Sequence, residues 1–330
     1  MVLKTSSSSA SVGSFAMQGV RLTMEDEMAV ERIPAPLLAG PTASRALYLG
    51  LFDGHGGAAC AKFAASHLHT ELGDTRELSA DGVGGAISRA FAATEGALRE
   101  SEERSGSTAL VALLGGGMLH VAHVGDSRAV LASGPRASAT RLTADHKPEL
   151  PEERARVEAA GGRVVWGGAC WRVTHARTET MLACSRSLGD FAFKQSAIDA
   201  TELALAAAEL DAADDADANA TDSSTAPATA LAAGSNDAPK AALPRGEVLS
   251  AEPTLGEREI AADDRFLILA CDGVWDVLSD QQACDSVRDA LKADSADANA
   301  AARQLAGDAY RAGSQDNISV LVVVLRHVLD

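Results

Sequence analysis

Positive charge is scarce in this chain. Its 330 residues carry 29 Lys and Arg against 46 Asp and Glu, a formal charge of −17 at pH 7. Nucleic-acid backbones and anionic membrane surfaces both call for a basic stripe, so neither is an expected partner. Long apolar runs are missing as well. None approaches the roughly eighteen residues of a membrane helix, and the opening stretch MVLKTSSSSASVG lacks the apolar core of a secretory signal. Cysteine is sparse: Cys60, Cys170, Cys184, Cys271 and Cys284 form no CxxC pair, and each has small or apolar neighbours. That pattern argues for reduced, packed thiols in the cytoplasm and/or nucleus, with an organelle address left open. Neither GxGxxG nor GxxxxGK[ST] occurs, so Gly115-Gly116-Gly117 reads as a turn rather than a phosphate cradle.

What is present is a globular profile. Apolar residues make up 46%, charged residues 23%, and mean hydropathy is zero, enough for one large or two ordinary domains. Apolar patterning places strands near 14–20, 46–52, 108–114, 118–124, 127–132, 265–271 and 317–325. STALVALLGGGMLHVAHVGDSRAVL reads as three consecutive antiparallel strands, turning at the three glycines and again at Gly125-Asp126. Ala61, Ala65, Leu68 and Leu72 share a helical face, as do Ile87, Phe91, Thr94 and Leu98. Ser279 to Gln282 has the form of a capping box opening a helix with Cys284, Val287 and Leu291 on its apolar side. Ala302, Leu305, Ala306 and Ala309 mark a last helix. Hairpins interspersed with helix pairs point to an α+β fold with antiparallel sheets. Residues 197–245 break the pattern: they lack aromatics, are rich in Ala, Asp, Ser and Thr, and carry a net charge of −7. They read as a solvated acidic insertion; the Gly and terminal Glu of a Ca²⁺-binding EF-hand loop are absent.

Acids recur where apolar runs end. MQGVRLTMEDEM carries Arg21, Glu25 and Asp26; LFDGHGG carries Asp53, Gly54 and His55; HVGDSRAVL carries Asp126; FLILACDGVWDVL carries Asp272 and Asp276; GSQDNISVLVVVL carries Asp316. A single Asp beside Gly is usually a turn former. Burying a bare carboxylate at a strand end costs several kcal/mol unless cations or hydrogen bonds compensate it, and five such places shift the reading toward a metal site. An all-oxygen set suits Mg²⁺ or Mn²⁺ rather than zinc. His67 and His69 fall on different sides of their helix and read as surface or packing residues.

These segments, together with GSTALVALL, LTADHKPELPEERARVEAAGGRV and SRSLGDFAFK, resemble the type 2C protein phosphatases, the metal-dependent serine/threonine phosphatase family. The likeness runs from about Ser14 to Leu325 and implies an αββα sandwich, two antiparallel sheets flanked by helices. It also implies a short disordered stretch at 1–13 and a single catalytic domain over 14–330, with the acidic insertion at 197–245 inside it. The resemblance implies that Asp53 bridges two Mg²⁺ or Mn²⁺ ions, that Gly54 offers its carbonyl, and that Asp272, Asp316 and Glu25 complete the direct ligands. Asp26 would hold water, and Asp126 and Asp276 with Asp272 would take a third, weaker ion. Arg21 would bind phosphate and His55 would protonate the leaving group. The alternatives are an ion pair of Arg21 with its neighbouring acids and a turn or hydrogen-bonding role for His55.

The implied activity is hydrolysis of phosphoserine and phosphothreonine proteins by metal-activated water, without a covalent intermediate, in a monomer. In keeping with that, no Cys precedes Arg at the CX5R spacing of cysteine-dependent phosphatases; position 190, six beyond Cys184, is Asp. The alternative is a catalytically weak phosphoprotein-binding regulator of the same fold, whose sign would be loss of a metal acid or of Arg21. The stretch from Trp166 to Met181 departs from the family by its length, and the insertion at 197–245 by its presence.

Overall fold

The computed structural model describes residues 10–34, 45–73, 82–101, 103–175, 178, 180–194, 247–293 and 297–325; the expected acidic insertion lies outside the described residues. The chain opens with strands β1 (Ala10–Met17), β2 (Glu27–Pro34), β3 (Arg45–Phe52) and the short β4 (Gly54–His55). Helices α1 (Ala59–Gly73) and α2 (Gly82–Glu100) lead to β5 (Gly106–Ser107), β6 (Ala109–Gly115), β7 (Met118–Val124), β8 (Arg128–Ser133) and β9 (Ser138–Arg141). Next come α3 (Pro151–Ala159), the hairpin β10 (Arg163–Trp166) and β11 (Trp171–Thr174), and β12 (Leu188–Gly189). The final part holds β13 (Thr254–Glu259), β14 (Asp264–Ala270), α4 (Asp272–Trp275), α5 (Asp280–Ala293), α6 (Ala298–Arg311) and β15 (Ile318–Leu325).

Two five-stranded antiparallel sheets stack face to face, in the orders β13-β7-β6-β3-β2 and β1-β15-β14-β8-β9. Strand alternation decides what lies between them. Leu47, Leu49 and Leu51 of β3 face Leu267, Leu269, Leu321 and Val323 of the other sheet in a shared apolar core. The opposite face of β3, with Tyr48 and Phe52, packs on Leu68, Ile87 and Phe91 of α1 and α2. Ile268, Val320 and Val322 likewise pack on Val287, Leu305 and Ala309 of α5 and α6. Strands buried on both faces read as unbroken apolar runs, which is why LVALL and ISVLVVVL were visible in the sequence. The result is the expected α+β sandwich in four layers. Small residues let the layers close: a Cβ on Gly13 would lie 2.0 Å from the backbone of Ala298, so α6 sits directly on β1.

Two expectations shift, and two strands are new. The first strand runs from Ala10 to Met17 rather than 14–20, so residues 10–13, expected to be disordered, pair with Val322 to Leu325 of β15. The run from Ser107 to Leu131 is not a three-stranded meander. β6 and β7 pair, but β8 joins β14 and β9 in the other sheet, and the chain crosses between sheets at Gly125-Asp126-Ser127. Edge strands β2 and β13 carry too many charges for an apolar pattern to reveal them. The capping box holds: the Ser279 amide and hydroxyl both donate to Gln282 Oε1, at 2.9 and 2.8 Å, and the Gln282 amide donates to Ser279 Oγ at 3.3 Å.

One buried acid ties α3 to the segment before β12. Glu153 accepts from Arg186 Nη2 at 2.5 Å, from Arg156 Nη2 at 2.8 Å and from Ser185 Oγ at 2.7 Å. Burial opposes its charge, but these donors prevail and hold its carboxyl down to about 2, from an ordinary 4.5. The stability it contributes is therefore present above pH 4.5 and lost as pH falls toward 2. Replacing it breaks a buried ion cluster, so Glu153→Gln should lower unfolding free energy at pH 7 by about 3 kcal/mol in urea titrations. The deficit against wild type should narrow between pH 4.5 and 2; a deficit independent of pH there would refute the assignment.

Candidate metal centre

Strand register brings the acid-bearing segments to one end of the sandwich. Met17 pairs with Ile318, Glu27 with Phe52, Ala109 with Val124, and Ala270 with both Val320 and Arg128. Asp53 therefore follows β3 where Glu25-Asp26 precede β2, Asp272 follows β14, Asp316 precedes β15, and Asp126 sits in the crossing between sheets.

Main-chain bonds and a few short polar side chains set these acids in place. The Asp53 carbonyl accepts from the Thr108 amide at 2.9 Å, and the Asp53 amide donates to Thr108 Oγ1 at 3.1 Å. Gly54 comes so close to the 25–26 segment that a Cβ would stand 2.4 Å from the Glu25 carbonyl oxygen. Glu25 is steered by Thr23 Oγ1 at 2.8 Å and by the Gly57 amide at 3.0 Å. Asn317, which the motif reading passed over, staples the two remaining loops. Its Nδ2 donates to the carbonyls of Gln18 and Thr23, its Oδ1 accepts from the Glu25 amide, and its own amide donates to Asp316 Oδ1. Asp272 is the first residue of α4, where a Cβ on Gly273 would meet the Asn317 carbonyl at 2.0 Å.

The electrostatics are those of a site short of positive charge. Burial, then the charges of Asp272, Asp26, Asp126 and Asp316, push the Asp53 carboxyl well above the usual range. Asp272 is pushed up by burial and then by Asp126, Asp276 and Asp316. Burial raises Asp26 to about 6, and both its oxygens are buried with no hydrogen-bond partner among the described residues. Ligand atoms of Asp26, Asp53 and Cys271 lie within 4.8 Å of one another. Burial pushes the Cys271 thiol up, and it donates to the Asn317 carbonyl while its sulfur accepts from the Ser319 amide. The oxygen donors, crowded, more numerous than the cations beside them and partly orphaned, fit a hard divalent cation.

Two cations of the chain lean on this cluster. Arg21, on the exposed loop after β1, places Nη2 at 2.5 Å from Asp316 Oδ2 and Nε at 3.1 Å from the Gln315 carbonyl. Lys147 places Nζ at 2.5 Å from Asp126 Oδ2; burial works against its charge, but Asp126 and then Asp272 and Asp276 raise it. Asp276 stands at the rim with much of its surface in solvent; the partial desolvation of its carboxyl raises it, and Lys147 offsets part of that rise. His55 sits on β4 with Nε2 at 2.7 Å from Asp190 Oδ2. Burial draws the imidazole pKa down, but the charge and hydrogen bond of Asp190 outweigh it and the value is raised. All the expected site residues are thus brought to one end of the sandwich, and Asp190, Asn317 and Lys147 join them. Trp166 and Trp171, by contrast, meet edge to face across their own hairpin.

A family description for protein phosphatase 2C matches residues 10–318. The chain belongs to the protein phosphatase 2C family. It is 33% identical over 287 residues to a protein phosphatase 2C homolog 2 of Hypocrea jecorina, covering 85% of this chain and 53% of that one. It is 31% identical over 328 residues to a probable protein phosphatase 2C of Arabidopsis thaliana, covering 98% and 61%. The chain thus spans about half to two thirds of the length of these relatives. A crystal structure of a serine-threonine phosphatase 2C from Toxoplasma gondii superposes with a TM-score of 0.68 at 21% identity, covering 98% of this chain and 97% of that one, and shares the fold.

The raised carboxyls carry a stability consequence. Groups held above their unfolded pKa bind more protons in the folded state, so the metal-free chain should lose stability as pH rises from about 4. Asp272→Asn removes part of the repulsion. The metal-free variant should melt above the metal-free wild type and gain less from added Mn²⁺ in a calorimetric scan; a lower melting point without metal would refute the account of repulsion.

Proposed function

We propose that this chain is a Mg²⁺/Mn²⁺-dependent protein serine/threonine phosphatase acting on phosphoserine and phosphothreonine. The observation that carries this reading is the convergence of seven carboxylates, one of them buried and unpaired, beside an exposed arginine fork. Asp53, Asp272, Asp316, Glu25 and the Gly54 carbonyl would hold two divalent ions, with Asp126, Asp276 and Asp272 offering a weaker third site. When bound, such ions lower the pKa of water and neutralise charge on a phosphoryl group. The protein supplies the rest. Asp26, whose two oxygens lack a hydrogen-bond partner among the described residues, would accept hydrogen bonds from water held beside the ions. Arg21, its side chain 57% exposed, turns from Asp316 to bind two phosphate oxygens with its planar fork. His55, with its raised pKa, gives a proton to the departing serine or threonine oxygen.

Among the described residues no helix is long and apolar enough to cross a membrane, and all five cysteines are free. Free thiols support a reducing compartment, the cytoplasm and/or nucleus, and we read the chain as a monomer.

Hydrolysis of a phosphothreonine peptide should disappear in EDTA and return with Mn²⁺ or Mg²⁺. A folded chain inactive across a full metal titration would overturn the reading. Arg21→Ala should raise KM for the peptide by about tenfold, the scale of a lost charge-assisted pair.

A further inference from the structure

We propose that Asp190 is a positioning residue for His55, fixing the imidazole so that Nδ1 is the nitrogen presented to the departing oxygen. The inference rests on the phosphatase reading above and adds a residue to it. Asp190 Oδ2 lies 2.7 Å from His55 Nε2, while His55 Nδ1 has no hydrogen-bond partner among the described residues. A carboxylate accepts only, so the Nε2 proton stays on the ring facing Asp190. When His55 gives up its Nδ1 proton, the leaving alkoxide becomes the alcohol. The neutral ring keeps Nε2–H, and Asp190 remains a carboxylate throughout.

The surroundings are built around this pair. Strand β5 passes so close that a Cβ on Gly106 would stand 2.1 Å from Asp190 Oδ2 and 2.3 Å from His55 Nε2. Asp190 itself is held at φ +51, one of two non-glycine residues with positive φ among those described. Non-glycine residues adopt such backbone rarely, and it persists where neighbours over-determine it. Here they do. Ser187 Oγ donates to Asp190 Oδ2 at 2.6 Å, which leaves that oxygen aimed at His55. Lys194, fully buried, donates to the Ser187 carbonyl at 2.6 Å and pairs with Glu95 of α2 at 2.9 Å. The other oxygen of Glu95 takes the Gly189 amide at 2.9 Å. The whole turn from Ser187 to Lys194 is thereby clamped to α2, with the acid at its apex facing the imidazole.

Asp190→Gly keeps the left-handed backbone without strain and removes the carboxylate; Asp190→Asn keeps an acceptor of the same shape. Both are compared with His55→Ala and with the Asp190→Gly/His55→Ala double variant, on a phosphothreonine peptide and on p-nitrophenyl phosphate, whose leaving group needs no proton. Asp190→Gly should lose at least about tenfold more on the peptide than on the aryl ester, Asp190→Asn should recover most of that difference, and Asp190→Gly should add little in the His55→Ala background. Equal losses on both substrates, or losses that add to those of His55→Ala, would overturn the proposal. Ring-nitrogen NMR reads the same point without turnover. The Nε2–H form of His55 should dominate in wild type and give way to a tautomer mixture in Asp190→Gly; an unchanged spectrum would overturn it. Should the wild type prove inactive on the peptide, that removes the phosphatase reading, while the NMR result still decides the role of Asp190.

Discussion

Like charges gathered at a poorly solvated end of a β-sandwich are the constraint to which the rest of this structure answers. Asp53 and Asp272 each feel the charges of several other acids as well as their own burial. No hydrophobic packing can compensate a carboxylate that lacks a partner. The chain therefore spends its rigidity elsewhere: two sheets with a shared leucine and valine core, helices on both outer faces, and strand register that leaves the ends little freedom. The acids are then pinned through backbone groups. Glycines at 54 and 273 let segments approach within distances no side chain would allow, and the Asn317 side chain bonds the main chain of the β1–β2 loop at three points. Held this way, the acids keep their places at the open end, and among the described residues both oxygens of Asp26 are left without a hydrogen-bond partner.

Much of this was legible from residues alone, for physical reasons that also explain what was not. Central strands such as Ile318–Leu325 are apolar on both faces and announce themselves; β2, with Glu27, Glu31 and Arg32, borders solvent and does not. The crossing at Asp126 escaped because periodicity reports which face a residue occupies, not which sheet its strand joins. A meander and a crossover look alike until the partner strand, here β14 more than 130 residues away, is known. The acids could be found because a carboxylate beside a buried run is costly and hence informative. Asp190 could not, since its meaning comes from His55 and Gly106, both far away in sequence.

Satisfied and unsatisfied buried charge divide the molecule into two kinds of polar site. Glu153 with Arg156 and Arg186, Arg128 with Asp145 and Asp280, and Lys194 with Glu95 are closed networks in which each charge meets its opposite. Such networks fix geometry, since breaking one partner leaves the other stranded. At the open end of the sandwich the same kinds of residues are arranged without closure. Asp26 has no hydrogen-bond partner for its carboxylate among the described residues, and Arg21 rests on Asp316 with more than half of its side chain in solvent. The closed networks lie next to the open one. Arg128 follows Asp126 by two residues, and Lys194 clamps the turn that carries Asp190. Rigidity is thus placed one step behind the groups that must stay available. A buried polar group with every bond made is scaffold, and the incomplete ones are where a ligand enters.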